Sequence, residues 1–412
     1  MKKRIKYYKA VILVFVTGIS GISSAQDLSS FIKEALANNP ALKAYELKYE
    51  IATESIEEST ALPNTEFGVG YFISEPETRT GAQKARVSVK QMIPWFGTLT
   101  ARENYAGSLA EATYVDVVIM QRKLLLAMNK SYYQLYALKN KEVVIRDKMA
   151  LLKTYETLAL TSVEVGKASA VDVLKLQIRQ NELEALAETL KNRFNAEKAI
   201  FKQLLNREDS LSITFPEHIV LPEEDFKIEN DSLRYHPELV KYEKLYNSVE
   251  KSILLNEKEA NPNIGFGLDY IAVSQRPNMT FSDNGKDIWM PMVSLSIPIF
   301  NNSYRARSQQ LEIRKKEINS FKNEQENKLQ ALLTEAFENR NAARRNYETQ
   351  IKNLERAKDA EEILLKTYEN GTVDFDDILD IQELQLEFQL KKLDALSYYY
   401  IAWANINYLI NT

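Results

Sequence analysis

The sequence predicts a mainly α-helical protein with a small transmembrane β part, built from a duplicated strand-strand-helix-helix unit. Three observations lead to this prediction. The chain opens like an exported protein, its two halves repeat each other, and four short segments alternate in polarity as membrane strands do. Long stretches with almost no glycine or proline follow each pair of these segments, which is typical of helices.

The first 25 residues have the composition of a secretory signal peptide. Five basic residues precede an apolar run over residues 10–19, and Ser23 and Ala25 supply the small side chains that signal peptidase prefers. Cleavage after Ala25 would remove five basic residues and no acidic one, which changes the formal charge from −4 to −9. No later segment offers the ~18 uninterrupted apolar residues of a spanning helix.

The remaining chain is an internal duplication. The segment NNPALKAYELKYE, which starts at Asn38, corresponds to RYHPELVKYEKLYN, which starts at Arg234. Such self-similarity indicates two copies of one structural unit. We predict a first structural repeat over residues 26–206, a connector over 207–230 and a second repeat over 231–412.

Each copy predicts a helix of modest length, two short strands, a long helix and another modest helix. We place the helices at about residues 27–61, 99–165 and 170–206 in the first copy and 231–260, 304–370 and 375–410 in the second. In the first copy an apolar or small residue recurs every seven positions from Val117 to Ala159, which suits coiled-coil packing. At 1.5 Å per residue each long helix would span ~100 Å, and the two modest helices of its copy match it in length.

The two copies also match where each long helix ends. The segments VGKASAVDVLKLQ and NGTVDFDDILDIQ align Gly166 with Gly371 and Asp172 with Asp377. Glycine is common at helix ends because it adopts a left-handed conformation without strain. Ser169 followed by Asp172 predicts a capping box at the start of the next helix.

Four segments alternate apolar with small or polar side chains, and we place strands at about 66–74, 85–93, 264–273 and 289–299. A membrane strand needs about 9–11 residues with one lipid-facing side. Four strands do not close a membrane barrel, and open edges are not tolerated in lipid, so several copies would have to share one barrel. The alternative is a small antiparallel sheet that caps a soluble helical bundle.

The composition argues against other classes of function. The chain has no cysteine and two histidines, so disulfide bonds, thiolate metal sites and histidine metal clusters are not expected. The acidic balance of the mature chain argues against nucleic-acid binding. We expect no catalytic residues, no cofactor and no metal site; an enzyme of envelope metabolism lacks a convincing nucleophile or base.

The signal peptide, the duplicated order of elements and the glycine turns resemble the TolC family of outer-membrane efflux and secretion channels. The most specific segments are the two turns and QMIPWFG, which joins a strand to a long helix. The resemblance implies a homotrimer with a twelve-stranded transmembrane β-barrel continued by a long α-helical periplasmic tunnel. The barrel would lie in the cell outer membrane and the helices in the periplasm.

The resemblance implies a passive duct in a tripartite efflux or type I secretion system, without catalysis. The implied partners are a periplasmic adaptor (membrane fusion) protein, an inner-membrane RND or ABC transporter, and outer-membrane lipid; no nucleic acid is expected. The alternative is a soluble periplasmic coiled-coil scaffold or adaptor protein with no channel. The cargo is not predicted, because drugs, metal ions and proteins all pass through related ducts.

The resemblance also assigns site residues near the glycine turns. In the family, two aspartates at a fixed spacing after the glycine form a constriction ring that selects for cations, and the matching positions are Asp377 and Asp380. Helix capping explains Asp377 equally well. Asp380 lies beyond the first turn, and its counterpart in the first copy is Lys175.

The duct would be opened by movement of the helix pairs near Gly166 and Gly371. Asp172 and Tyr368 match positions that hold the closed state in the family. Val373 stands where the best-known pattern has an arginine, so the network that closes this chain must differ.

Overall fold

The computed structural model describes residues 25–164, 169–208, 211–225, 232–369 and 375–410. The predicted signal peptide lies outside these residues except for Ala25, and so do Gly166, Gly371 and Val373. The expectations for these positions stay predictions.

The elements of the first half are two helices, three strands and two further helices. They are Ala25–Asn38 (α1), Pro40–Ser59 (α2), Glu66–Tyr71 (β1), Glu77–Thr78 (β2), Gly81–Ile93 (β3), Thr98–Glu164 (α3) and Ala170–Leu205 (α4).

After a 3₁₀ turn at Ser232–Tyr235, the second half has the order helix, strand, strand, helix, helix. Its elements are Pro237–Glu259 (α5), Asn263–Val273 (β4), Ile288–Ser296 (β5), Ser303–Glu369 (α6) and Phe375–Ile410 (α7). The predicted fold class, mainly α-helical with a duplicated strand-strand-helix-helix order, is confirmed.

One predicted helix is divided in the structure. The sequence predicts a single helix over about 27–61, but α1 and α2 are separated at Asn39. Pro40 has no backbone N–H for the preceding turn and is well suited to the first position of a helix. The Asn39 side chain caps α2 because its oxygen accepts hydrogen bonds from the N–H groups of Ala41 (3.0 Å) and Leu42 (3.2 Å).

The chain divides into two compact units. The helical unit takes its residues from the ranges 1–43, 120–236 and 328–412, and the sheet unit consists of residues 44–119 and 237–327. The long helices α3 and α6 contribute residues to both units.

The sheet unit contains an antiparallel sheet with the strand order β1-β3-β4-β5, and β2 pairs with β3. Its register places Val69 opposite Val87, and Val87 opposite Tyr270. The face that carries these side chains is apolar and open: Val69 is 83% exposed and Val293 is 75% exposed. The opposite face carries glycine, serine, methionine and charged residues.

Strand β3 begins earlier than its predicted start at about residue 85, and β1 ends before its predicted end at about residue 74. Gly81 has a φ of +137°, and a side chain there would collide with the carbonyl oxygen of Ser274. This close approach lets the Ser274 N–H donate to the Ala82 carbonyl at 2.8 Å, which extends the sheet. The alternation of polarity in the sequence does not reveal that Gly81 extends β3 in this way.

In the helical unit, the seven-residue spacing of the first copy marks the buried side of α3. Ile145, Leu152 and Ala159 are buried in one cluster with Leu176 and Leu183 of α4, which repeat at the same spacing. The predicted spacing therefore marks the side of α3 that packs against α4, and coiled-coil packing stays a prediction.

Candidate functional site

A buried carboxylate joins α3 to α4 near the first turn. Glu156 accepts hydrogen bonds from Gln177 (2.9 Å) and Gln180 (3.1 Å), and Gln180 also donates to the Leu152 carbonyl at 3.3 Å. Glu156 is 5% exposed. We call this arrangement of one glutamate and two glutamines the Glu–Gln clasp.

The second repeat has the same clasp between α6 and α7. Glu361 accepts hydrogen bonds from Gln382 and Gln385 (2.7 Å), and Gln385 also donates to the Ala357 carbonyl at 3.1 Å. Each of these residues occupies the position that matches its counterpart in the first repeat. The clasps therefore hold each long helix to the helix that follows it, in two equivalent helix pairs.

Four contacts made by lysine or arginine side chains join the pair α3–α4 to the pair α6–α7, and we call them the seam. They are Lys141 with Asp394 (2.6 Å), Lys148 with Gln382, Lys175 with Asp376, and Arg179 with Glu383 (2.5 Å). In these four contacts the first repeat supplies the cation and the second repeat supplies the acceptor. Each seam contact thus involves a cation, whereas each clasp consists of hydrogen bonds from two glutamine amides to one carboxylate.

Lys148 is a half-buried cation of the seam. Burial lowers the pKa of Lys148 from 10.5 to about 8, and the nearby charge of Glu361 acts in the opposite direction. Its ammonium group donates to Gln382, whose own amide donates to Glu361. Lys148 therefore connects the seam to the second clasp.

The predicted ring residues lie on the exposed side of α7. Ile378 is buried and fixes the rotation of the helix, so that Asp377 and Asp380 are exposed to solvent. Among the described residues, neither carboxylate forms an ion pair. The structure thus presents both aspartates on one accessible surface, and their role in a ring stays a prediction.

The two residues predicted to hold the closed state have other contacts here. Asp172 completes the predicted capping box: its carboxylate accepts from the Ser169 N–H (3.2 Å), and Ser169 Oγ accepts from the Val171 N–H (3.2 Å). The Tyr368 ring lies 5.8 Å from the ring of Phe375. In the part of the chain that the structure describes, no hydrogen bond joins Asp172 to Tyr368, and the role of each residue in a closed state stays a prediction.

Sequence reasoning missed the clasps and the seam. The internal repeat carried a usable signal for the clasps, because Glu156 and its two glutamines recur at matching positions. The seam had a weaker signal in Lys175, which aligns with Asp380. The pairing of Lys175 with Asp376 depends on how two helix pairs face each other, which spacing along one helix does not determine.

The long helices, the small antiparallel sheet and the duplicated order of elements define the fold of known outer-membrane channels. CusC, described in work on transmembrane channel formation, matches with a TM-score of 0.78 and 13% identity over 96% of this chain and 95% of its own. The outer-membrane channel OprN matches with a TM-score of 0.75 and 16% identity over 93% and 89%. The outer-membrane channel CmeC of Campylobacter jejuni gives 0.73 and 14% over 93% and 85%.

These similarities confirm the predicted resemblance at the level of the fold. No protein-family model matches the chain, and no curated protein matches its sequence. None of the described helices has an apolar stretch of the length that a bilayer crossing requires.

Proposed function

We propose that this protein is the outer-membrane channel subunit of a tripartite efflux or type I secretion system. It forms a homotrimer whose strands close a twelve-stranded β-barrel, and it serves as a passive duct from a periplasmic pump complex to the exterior. The observation that carries the proposal is the sheet, which has one apolar exposed face and two unpaired edges in the described residues.

The apolar face supports insertion into lipid. Phe67, Val69 and Tyr71 of β1 are all more than two-thirds exposed. Val293 of β5 lies on the same face of the sheet and is 75% exposed. Soluble proteins rarely leave a contiguous apolar surface of this kind in water. Along each strand, apolar residues on this face alternate with small and polar residues on the other face, as they do in a barrel strand.

The edges support assembly from several copies. Among the described strands, β1 pairs only with β3 and β5 pairs only with β4, so one side of each is free. A backbone N–H or C=O group without a hydrogen-bond partner in the hydrocarbon of a bilayer costs several kcal/mol. Pairing β5 of one copy with β1 of the next satisfies these groups and closes the wall.

The acidic start of α7 supports a role in ion selection. Three copies would place six carboxylates from Asp377 and Asp380 around one axis, and rings of carboxylates select cations in channels. Gly166 and Gly371 would allow the turns to move, and Asp172 and Tyr368 would contribute to the closed state.

The cellular location and the partners follow from the proposed channel function. The barrel lies in the cell outer membrane in contact with its lipid, and the helices extend into the periplasm. There they meet a periplasmic adaptor protein and an inner-membrane RND or ABC transporter. The duct itself needs no catalytic group, cofactor or metal ion.

Planar-bilayer recording tests the proposal. The detergent-extracted protein should give discrete ion conductance with a preference for cations, and Asp377→Asn/Asp380→Asn should weaken that preference. The matched control is Glu335→Gln/Glu338→Gln, which removes the same charge from exposed positions of α6. Extraction from cells without detergent, with no conductance, would instead support a soluble periplasmic scaffold and overturn the channel.

A further inference from the structure

Two cations on α4 face the acidic start of α7. Lys175 pairs with Asp376, and Arg179 Nη2 lies 2.5 Å from Glu383 Oε2. These four side chains are between 43% and 52% exposed, so solvent and dissolved ions reach them. We call Lys175 and Arg179 the α4 cations, and Asp376 and Glu383 the paired carboxylates.

The paired carboxylates share their surface with the predicted ring. Asp376, Asp380 and Glu383 follow each other at intervals of four and three residues, which places them on one stripe of α7. Asp377 lies beside this stripe. Because Asp377 and Asp380 form no ion pair among the described residues, we call them the free carboxylates.

The α4 cations act on the whole stripe. The pKa of Lys175 is raised mainly by its hydrogen bond to Asp376, and the charge of Asp380 adds to the shift. The pKa of Arg179 is raised first by its hydrogen bond to Glu182, and again Asp380 contributes. The field of the cations thus reaches a free carboxylate as well as the paired ones.

We propose that Lys175 and Arg179 determine the ion selectivity of this entrance, a role that rests on the proposed channel function. They neutralise the paired carboxylates and leave the free carboxylates to act on permeating cations. The attraction of the entrance for cations is therefore weaker than the paired and free carboxylates alone would give.

If the α4 cations only stabilised the fold, removing them would change stability and leave the ion selectivity unchanged. Exposed ion pairs contribute little to stability, and Leu379 and Leu386 of α7 pack against the buried cluster around Leu176 of α4, so the two helices are held together without the cations. Removing the two cations should therefore change selectivity while the helix content and the assembly state stay as in the wild type. The reversal potential reports selectivity and is insensitive to a small change in stability.

The experiment compares Lys175→Gln/Arg179→Gln with the wild type in planar bilayers under a potassium chloride gradient. We expect the cation-to-anion permeability ratio to rise roughly threefold, the factor that corresponds to about one kT of additional attraction. The matched control is Lys139→Gln/Arg314→Gln, which removes two cations from exposed pairs elsewhere and should leave the ratio unchanged. Circular dichroism and size-exclusion chromatography verify folding and assembly.

A second variant tests the direction of the effect. Asp376→Asn/Glu383→Gln removes the two carboxylates of α7 that balance Lys175 and Arg179, and should lower the ratio below that of the wild type. Combining all four substitutions should return the ratio toward the wild-type value.

The outcomes separate this inference from the proposed function. If neutralising the free carboxylates lowers the ratio but removing the α4 cations changes nothing, the inference is overturned and the channel stands. A ratio that falls when the α4 cations are removed also overturns it. If no variant and no wild-type protein conducts, the proposed function fails together with the inference.

Discussion

A single charge placed on the apolar face of the sheet distinguishes a membrane barrel from a soluble sheet. Val69 lies on β1 opposite Val87, which is the central residue of β3, and its side chain is 83% exposed. We would replace Val69 by lysine. Gly70→Lys is the matched control, because Gly70 is the next residue on the same strand and a side chain there meets open space.

The change in unfolding free energy caused by Val69→Lys depends on whether lipid or water covers the apolar face of the sheet. If Val69 points into lipid near the bilayer centre, Val69→Lys costs about 2–4 kcal/mol, as lysine does on the lipid face of a barrel. If the face is in water, a substitution at so exposed a position costs no more than about 0.5 kcal/mol. Gly70→Lys points to the opposite, small and polar face, so its cost stays small in both cases.

Urea titration of the protein folded in phospholipid vesicles measures the two free energies of unfolding, with tryptophan fluorescence as the signal. We expect Val69→Lys to be less stable than Gly70→Lys by about 2 kcal/mol or more. Two variants that agree within about 0.5 kcal/mol would refute the assignment of this face to lipid.

Three further substitutions test the packing and the seam. Leu176→Ala empties a fully buried position in the core of α3 and α4 and should cost about 2–5 kcal/mol in chemical unfolding, whereas Val171→Ala at an exposed position should cost less than about 0.5. Gly81→Ala would bring a methyl group within 1.8 Å of the Ser274 carbonyl oxygen at a φ of +137°, and should cost about 1–3 kcal/mol by the same titration. Because the folded pKa of Lys148 is lowered to about 8, the unfolded chain binds more protons between pH 8 and 10.5, so stability should rise with pH across that window. Lys148→Met should reduce this rise in the unfolding midpoint; an equal rise in the variant would contradict the assignment.

The helices could be predicted closely because their ends carry local signals. The long helix of the first copy, expected over about 99–165, is Thr98–Glu164, and its seven-residue spacing identified the buried side. Ser169 and Asp172 form the expected capping box. Such features depend on residues within one or two turns of each other, so sequence alone contains them.

Other features depend on contacts that no local pattern specifies. The division at Asn39 required recognition that Pro40 opens a new helix within an otherwise continuous pattern. Glu361 is one of many glutamates, and only its position opposite two glutamines of α7 distinguishes it. The pairing of Lys175 with Asp376 depends on the rotation of two helix pairs against each other, which periodicity leaves undetermined.

The number of chains in the detergent-extracted particle tests most directly whether identical copies complete one barrel. Native mass spectrometry of protein purified from cell membranes reads this number without assuming a shape. We predict a single species with the mass of three mature chains. A folded particle of one chain that persists at high concentration would contradict the account, since a lone four-stranded sheet has no lipid-compatible edges.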